Sequence, residues 1–454
     1  MAESAAGGRE CGPAFYDARL MAVTAPSALP PRSAIATEAV AGVTTFFTMA
    51  YILVVNPTIL STPGTGMPFS GVLTATVLLC VSMTLLMGLY ARLPYGVAPG
   101  MGLNAFFTYT IIIQGGVPWP VALGIVFWAG VLFLLVSATP LRESVAMAIP
   151  AHLRAASAAG IGLLLTFIGL QNGGFVAANP ATMVGVGPLD HRAVLTMVGV
   201  GIIAVLSRRQ NPLAFLASIA VVSIAGWAYG DVRVPERWLS APDFSSVLLK
   251  LDVVGALQLA LIPSIVAITM TDLFDSISSF IGVSQATGLV DEHGQPLRLR
   301  QGLIVDSFAT LGAGLLGTSS GTAYVESIAC IRMGGRTGLT AVFAALCFLP
   351  CLFIAPLAGA VPPYATSAVL IVVGVSMFQA VTRVGWDRLE EALSAYVAVV
   401  LIPLTFSITQ GLLWGFVLHA ALHGVVGRGR EVRPMLWGLA ILAAVLLVLE
   451  HTRH

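Results

Sequence analysis

Four polar residues stand within otherwise apolar stretches of the sequence, where they could bind a ligand. Asp272 and Asp275, in ITMTDLFDSISSFIGV, lie about one helical turn apart and so share a helix face. Glu326 follows the run GTSSGTAY, and Asn104 has the corresponding place in YGVAPGMGLNAFF. Carboxylates accept hydrogen bonds from N–H groups, and a carboxamide both donates and accepts. The sequence therefore predicts Asn104, Asp272 and Glu326 as contacts of a flat heterocyclic ligand.

The paired carboxylates also suggest how a ligand is coupled to an ion. Two carboxylates one turn apart in a low-dielectric medium resist being ionised together, so the pair can share one proton. We expect Asp272 and Asp275 to link proton binding to ligand binding. For Asp275, a supporting role in bonding a neighbouring segment is an equal alternative, and Asp306 is expected to be structural. The spacing of ligand-type residues favours no metal, and no cofactor is predicted.

Polar and ionisable residues are rare within the apolar stretches because the whole chain contains few charged residues. Of 454 residues, 57% are apolar and 9% are charged, whereas an ordinary soluble domain has about 25% charged residues. The chain is therefore predicted to lie in a lipid bilayer, where ionisable groups are costly and functional by default. Its 22 basic and 21 acidic residues form no basic run, which argues against a nucleic-acid partner. Its one lysine, Lys250, follows no glycine loop, so no ATP-driven pump is predicted.

The apolar segments predict an all-α polytopic membrane protein. A helix needs about 20 apolar residues to cross the bilayer. Residues 1–34 are predicted to be a mobile tail, and 434–449 to be an extra hydrophobic segment. The fourteen predicted spans lie at 35–56, 69–91, 97–114, 118–140, 152–172, 189–207, 211–230, 250–284, 299–317, 322–332, 336–357, 363–381, 388–408 and 410–427.

Basic residues predict the orientation of these spans, because cytoplasmic loops carry the excess of Lys and Arg. With a cytoplasmic N-terminus, seventeen of the 22 basic residues fall on the cytoplasmic side. The outer side receives Arg192, Arg233, Arg237, Lys250 and, if 434–449 crosses, Arg453. The expected location is the inner (plasma) membrane.

The two sets of seven spans resemble each other, most clearly in QGGVPWPVALG and MGGRTGLTAVF. Since seven is odd, the second set must be inverted in the membrane, which is a common architecture of secondary transporters. The short spans 97–114 and 322–332 are crowded with Gly, Pro, Ser or Thr and are predicted to be broken helices with short strands at their breaks. Non-helical backbone at that depth must be paired within protein or line a cavity, and half-helix N–H groups there can meet a ligand.

Four long stretches resemble the azaguanine-type purine permeases, the adenine, guanine and hypoxanthine branch of the nucleobase/cation symporters (xanthine/uracil permease family). They are VAPGMGLNAFFTYT, TMTDLFDSISSFIGVSQATGL, GTSSGTAYVESIACIRMGGRTGLTAV and DRLEEALSAYVAVVLIPLTFSITQGLLWGF. The resemblance implies fourteen spans in two inverted repeats and a homodimer. It also implies a core domain (35–140 and 250–357) that carries substrate past a gate domain (141–231 and 358–427).

The same resemblance implies substrate contacts at Asn104, Asp272 and Glu326, with support from Asp275. Two departures are visible. The family usually reads DLFDTxGT where this chain has Asp275 followed by Ser-Ile-Ser-Ser, and Cys330 replaces a glycine.

The resulting hypothesis is a secondary transporter that imports purine nucleobases by proton symport and elevator-type alternating access, with sodium as an alternative coupling ion. One alternative is a xanthine, urate or uracil carrier of the same superfamily. Another is an anion exchanger on the same fold, but the paired acidic residues argue against an anion site. A membrane enzyme using the Asp pair and an ion channel are further alternatives.

Overall fold

The computed structural model describes residues 32–139, 150–232, 235–290 and 296–451, which are mostly helical. The predicted tail therefore lies outside the described residues as far as residue 31, and the first helix begins at Arg32. The α-helices are α1 (Arg32–Met49), α2 (Ile52–Leu60), α3 (Phe69–Leu86), α4 (Met101–Ala105), α5 (Trp119–Ala138), α6 (Ala151–Asn172), α7 (His191–Arg208), α8 (Ala214–Tyr229), α9 (Ile262–Thr287), α10 (Leu299–Leu316), α11 (Ser327–Arg332), α12 (Gly338–Phe348), α13 (Ala355–Gly359), α14 (Pro363–Phe378), α15 (Leu389–Thr405), α16 (Ile408–Val425) and α17 (Pro434–His451). The strands are β1 (Val97–Pro99), β2 (Val176–Asn179), β3 (Met183–Val186) and β4 (Gly321–Ala323).

Eight helical stretches within the described ranges are long and apolar enough to cross a membrane. They are Ile35–Leu60, Phe69–Ala91, Trp119–Ala138, Ala151–Asn172, His191–Arg208, Leu259–Ser284, Pro363–Arg383 and Ile408–Val425. Other predicted spans form shorter apolar helices, such as α8 and α12. The count of fourteen and the inverted repeat therefore stay predictions.

The two segments predicted to be broken helices each contain a short strand followed by a short helix. Strand β1 precedes α4, strand β4 lies shortly before α11, and the two strands pair antiparallel, with Val97 opposite Ala323. Next to the pair, Gly100 N donates to Ser320 O at 2.9 Å, and Tyr324 N donates to Gly96 O at 3.0 Å. The non-helical backbone is thus paired within the protein, as its depth among apolar helices requires.

The helices pack as two groups. In the first group, α1 packs on α12, and α10 packs on α3 and α5. In the second group, α6 packs on α14 and α15, and α7 packs on α8 and α14. Contacts between the groups are sparser and include those of α4 and α9 with α6. The pair β1–β4 belongs to the first group, where β1 contacts α3 and β4 contacts α10.

Close helix contacts within the first group depend on glycine. A Cβ atom at Gly130 of α5 would lie 2.3 Å from the backbone nitrogen of Leu311 in α10. A side chain at this point would have to push apart the two helices that flank α9. The high content of small residues therefore lets these apolar helices approach closely, as is common in membrane bundles.

A polar cluster joins three elements of the second group at one end. The Asp231 carboxylate, just after α8, accepts from the Tyr364 hydroxyl at 2.7 Å and bonds His191 Nε2 at 2.7 Å. These two hydrogen bonds lower the pKa of Asp231 below its usual value. The cluster therefore ties the ends of α7, α8 and α14 together, with Asp231 itself outside the span-length helices.

Candidate functional site

A cleft lies where α4 and α9 of the first group meet α6 of the second. We call it the central cleft. It contains about 450 Å³ of space free of protein atoms, a figure that includes space open to solvent. Its lining includes Leu103, Arg154, Ile161, Phe274, Asp275 and Ser278. Apolar walls with a few polar groups are typical of sites for small molecules.

Asp275 is the carboxylate that lines this cleft. It lies near the middle of α9 and is partly exposed. Among the described residues, its carboxylate has no hydrogen-bond partner, although it is close enough to Glu326 for the two negative charges to repel. A carboxylate of this kind is available to accept hydrogen bonds from a ligand.

Glu326 lies at the start of α11, between β4 and the helix proper. The hydroxyl of Tyr51 donates to Glu326 Oε1 at 2.8 Å, and the Glu326 side chain remains partly exposed. Tyr51 stands at the junction of α1 and α2, and its ring packs against that of Phe215 in α8, at 4.8 Å between centroids. Tyr51 thus orients the glutamate from one helix group while touching the other.

Asp272 has a different environment from Asp275. Its side chain is 0% exposed, and Oδ2 accepts hydrogen bonds from the hydroxyls of Thr310 and Ser320. Its other oxygen, Oδ1, is buried without a partner among the described residues. Asp272 therefore connects α9 to α10 and to the segment just before β4, whereas the side of α9 that lines the cleft carries Asp275.

Asn104 is also fully buried, at 0% exposure. Its Oδ1 accepts a hydrogen bond from the Ser319 hydroxyl, and its Nδ2 has no partner among the described residues. The neighbouring Leu103 lines the cleft. Asn104 therefore joins α4 to the segment before β4, and its amide nitrogen is left without an acceptor among the described residues.

The remaining candidates belong to the packing around β4. Asp306 is 0% exposed and accepts from Ala323 N at 3.1 Å, which is consistent with the structural role predicted for it. At the departures from the family pattern, Ser276 Oγ lies 3.3 Å from Thr322 Oγ1, and Cys330 is fully buried. These substitutions lie against the β4 and α11 region.

The structure therefore brings the predicted residues into one region but gives them different surroundings. Asp275 and Glu326 are partly exposed, whereas Asp272 and Asn104 are enclosed by hydroxyl groups. Sequence reasoning missed Tyr51 and Arg154. The run GTSSGT drew attention to Ser319 and Ser320 as part of a break, but their bonding to Asn104 and Asp272 depends on the fold. Within the described ranges, no group of three or more His, Cys, Asp or Glu could hold a metal ion.

This fold is shared with solved structures of membrane proteins. The transmembrane domain of a cyanobacterium bicarbonate transporter, BicA, superposes with a TM-score of 0.64 at 18% identity, covering 85% of this chain and 98% of that chain. SLC26A9 superposes with a TM-score of 0.55 at 10% identity, covering 87% of this chain and 65% of that chain. At such low identities, the likeness shows the fold alone.

The family follows from the sequence. Residues 36–413 match the Xan_ur_permease family, described as a permease family, and the chain belongs to it. It is 40% identical to the adenine permease AdeP of Escherichia coli (strain K12), over 91% of this chain and 92% of that protein. It is 36% identical to the guanine/hypoxanthine permease PbuO of Bacillus subtilis (strain 168), over 92% of this chain and 98% of that protein. The chain is thus a multi-pass membrane permease and not an enzyme.

Proposed function

We propose that this permease imports purine nucleobases, namely adenine, guanine and hypoxanthine. The observation that carries the proposal is that relatives named for these bases match the chain over nine-tenths of its length. The chemistry of the site agrees with this substrate class. A purine is flat and presents several N–H donors. Asp275 offers a carboxylate acceptor beside the apolar walls of the cleft, and the partly exposed Glu326 offers a second one nearby.

We assign the contacts within the site as follows. Asp275 and Glu326 accept hydrogen bonds from donor groups of the base, which their partial exposure supports. Asp272 and Asn104, which the sequence predicts as direct contacts, hold the segment before β4 through Ser320 and Ser319. In this assignment, Asp272 and Asn104 position the site instead of touching the base.

We propose proton symport as the energy source. Asp272, Asp275, Asp306 and Glu326 lie near one another among the apolar helices, where charges of one sign resist being ionised together. A proton shared within this group neutralises part of the charge before the first helix group moves. Sodium is the alternative coupling ion.

Transport by elevator-type alternating access is supported by the sparse contact between the two helix groups. In this mechanism, the core domain, 35–140 and 250–357, moves against the gate domain, 141–231 and 358–427. We place the protein in the plasma membrane with a cytoplasmic N-terminus, fourteen spans in inverted repeats and a homodimeric assembly, on the charge distribution and the family resemblance of the sequence.

Uptake of labelled hypoxanthine, adenine and guanine into cells that lack their own purine permeases tests this function. We expect saturable uptake of at least one of the three bases, which a proton uncoupler abolishes. Competition by unlabelled xanthine, urate and uracil distinguishes the related carriers. Loss of competition by purines, together with exchange of bicarbonate, would instead identify an anion exchanger.

The site assignment is tested with Glu326→Ala and Asp275→Ala at matched levels in the membrane. Each variant should lose at least tenfold in apparent affinity, since a hydrogen bond to a charged group contributes about 1.5–3 kcal/mol. Unchanged uptake by both variants contradicts the assignment. Chemically unchanged base inside membrane vesicles is expected, because the protein is a permease.

A further inference from the structure

Arg154 is a basic residue in the central cleft that the proposed contacts do not yet use. It lies in the first turn of α6, is partly buried, and lines the same cleft as Asp275 of α9. The two residues belong to different helix groups. The cleft therefore carries a positive group on one wall and a negative group on another.

Among the described residues, the Arg154 guanidinium has no protein partner. In the described parts of the chain, no carboxylate lies within 4.0 Å of it, and no hydrogen bond to another side chain or carbonyl includes its nitrogens. The backbone of this residue does form hydrogen bonds: its N–H donates to Pro150 O at 3.2 Å, and its carbonyl accepts from the Ser157 hydroxyl at 2.9 Å. The N–H donors of this guanidinium are therefore available to a ligand in the cleft.

A purine has the chemistry of such a ligand, and this step rests on the proposed function. When they are ionised, the carboxylates of Asp275 and Glu326 can only accept hydrogen bonds, and they then satisfy only the N–H groups of a base. The acceptor atoms of the base need a donor, and a guanidinium only donates. In a 6-oxopurine, O6 and N7 are adjacent acceptors that match the planar fork of arginine, as in the recognition of guanine in DNA. Adenine has a donor amine in place of O6 and cannot accept from both arms.

We propose that Arg154 binds the O6/N7 edge of 6-oxopurines and so favours hypoxanthine and guanine over adenine. The base lies between Arg154 of α6 and Asp275 of α9, with Phe274 and Ile161 among the apolar walls. Helices α4 and α6 approach each other closely beside Ile161, since a Cβ at Gly102 would lie 2.5 Å from Ile161 Cγ2. This close approach holds Ile161 at the wall of the cleft. Arg154 is then a specificity-determining residue contributed by the second helix group.

The test measures the half-saturation constant for labelled hypoxanthine and the inhibition constants of unlabelled 7-deazahypoxanthine and adenine. The variants are Arg154→Ala and Arg154→Lys, in cells that lack their own purine permeases. The control is Arg430→Ala, which changes an exposed arginine outside the cleft. All variants are compared at equal levels in the membrane.

In Arg154→Ala, we expect the half-saturation constant for hypoxanthine to rise about tenfold or more, because a charge-assisted bond is lost. Inhibition by 7-deazahypoxanthine and adenine should change less than about threefold, since neither offers the complete acceptor edge. Arg154→Lys keeps the charge without the fork and should recover only part of the affinity. Arg430→Ala should match the unsubstituted protein.

Equal losses for hypoxanthine, its 7-deaza analogue and adenine would overturn the inference and assign Arg154 a purely structural or topological role. Unchanged half-saturation for hypoxanthine in Arg154→Ala would also overturn it while leaving purine transport intact. If the unsubstituted protein imports none of the three purines, the proposed function fails and this inference fails with it.

Discussion

At the scale of single residues, the surroundings of two aspartates on one helix separate their roles. Asp272 accepts from two hydroxyl groups, whereas Asp275 lines the central cleft and bonds no side chain within the described ranges. Their shared helix face is visible in the sequence, but residues from α10 and the segment before β4 distinguish them. A hydroxyl that loses its acceptor in a buried site destabilises the protein, while a carboxylate facing a cleft can be removed with little effect on folding.

This difference predicts opposite effects of Asp272→Ala and Asp275→Ala. Asp272→Ala leaves the Thr310 and Ser320 hydroxyls without their acceptor, so we expect a loss of about 1–3 kcal/mol in the free energy of unfolding. Asp275→Ala should leave that free energy within about 0.5 kcal/mol of the unsubstituted value. It should instead raise the half-saturation constant for the base. Thermal unfolding of purified protein and uptake kinetics measure the two effects.

The opposite pattern would reverse the assignment. If Asp272→Ala retained the thermal midpoint and selectively weakened uptake, Asp272 would be the direct contact that the sequence suggests.

At the scale of secondary-structure elements, glycines determine how closely the helices beside the site approach one another. Gly130→Ala in α5 would place its Cβ 2.3 Å from Leu311 N and 2.5 Å from Leu311 Cα, both backbone atoms of α10. Because backbone cannot move away as a flexible side chain can, we expect about 1–3 kcal/mol of destabilisation. The thermal midpoint of the purified protein reports this change.

Gly282→Ala in α9 provides the matched control for that prediction. A Cβ at Gly282 meets no atom within 4 Å, and alanine favours a helix interior by up to about 1 kcal/mol over glycine. Gly282→Ala should therefore be neutral or stabilising. Similar losses of thermal midpoint in Gly130→Ala and Gly282→Ala would contradict the conclusion that the close contact of α5 with α10 requires glycine.

The cluster around Asp231 predicts how stability depends on pH at one end of the second helix group. The lowered pKa of Asp231 means that its ionised form is favoured by folding. The contribution of Asp231 to the free energy of unfolding is fully present above the usual carboxyl pKa of about 3.9. It is lost as the pH falls through the lower pKa that Asp231 has in the folded protein. We expect the difference in thermal midpoint between unsubstituted protein and Asp231→Asn to shrink below about pH 4.

Asp387→Asn is the control for this pH dependence. Asp387 is exposed and, in the described part of the chain, its side chain takes part in no hydrogen bond or ion pair. The control variant should follow the unsubstituted protein at each pH. A difference for Asp231→Asn that grows on acidification would show that the hydrogen bonds to Asp231 do not favour the ionised form.

At the scale of the whole molecule, the packing of the last helix bears on the side of the membrane that the C-terminus occupies. Trp437 of α17 lies beside Gly424, near the end of α16, and Ala443 lines a groove with Leu412, near the start of α16. Since α17 returns along α16, we expect 434–449 to cross the membrane as a fifteenth span. The C-terminus should then lie outside when the N-terminus is cytoplasmic.

Tags at the two termini test this arrangement. In intact cells, an impermeant antibody should reach a C-terminal tag but not an N-terminal tag, and both tags should be reached after lysis. Protection of both tags in intact cells would place α17 on the cytoplasmic side of the membrane without crossing it.

The sequence by itself determined the membrane environment and the family resemblance, and it predicted the region of the site. Apolar composition demands a bilayer, and few chemical groups can stand in apolar spans, so Asp272, Asp275, Glu326 and Asn104 are recognisable without coordinates. The two broken segments are also recognisable, because Gly, Pro and Ser interrupt helices wherever they cluster.

Only the tertiary structure decided which of those groups face the cleft. Asp272 is enclosed by Thr310 and Ser320, Tyr51 reaches Glu326 across 275 residues of chain, and Arg154 meets the cleft from a separate helix group. A hydrogen-bond partner is fixed by distance in space, and residues far apart in the chain leave no periodic signal of their contact. The roles of these side chains therefore depend on helix packing, which in turn depends on shape and on small residues such as Gly130.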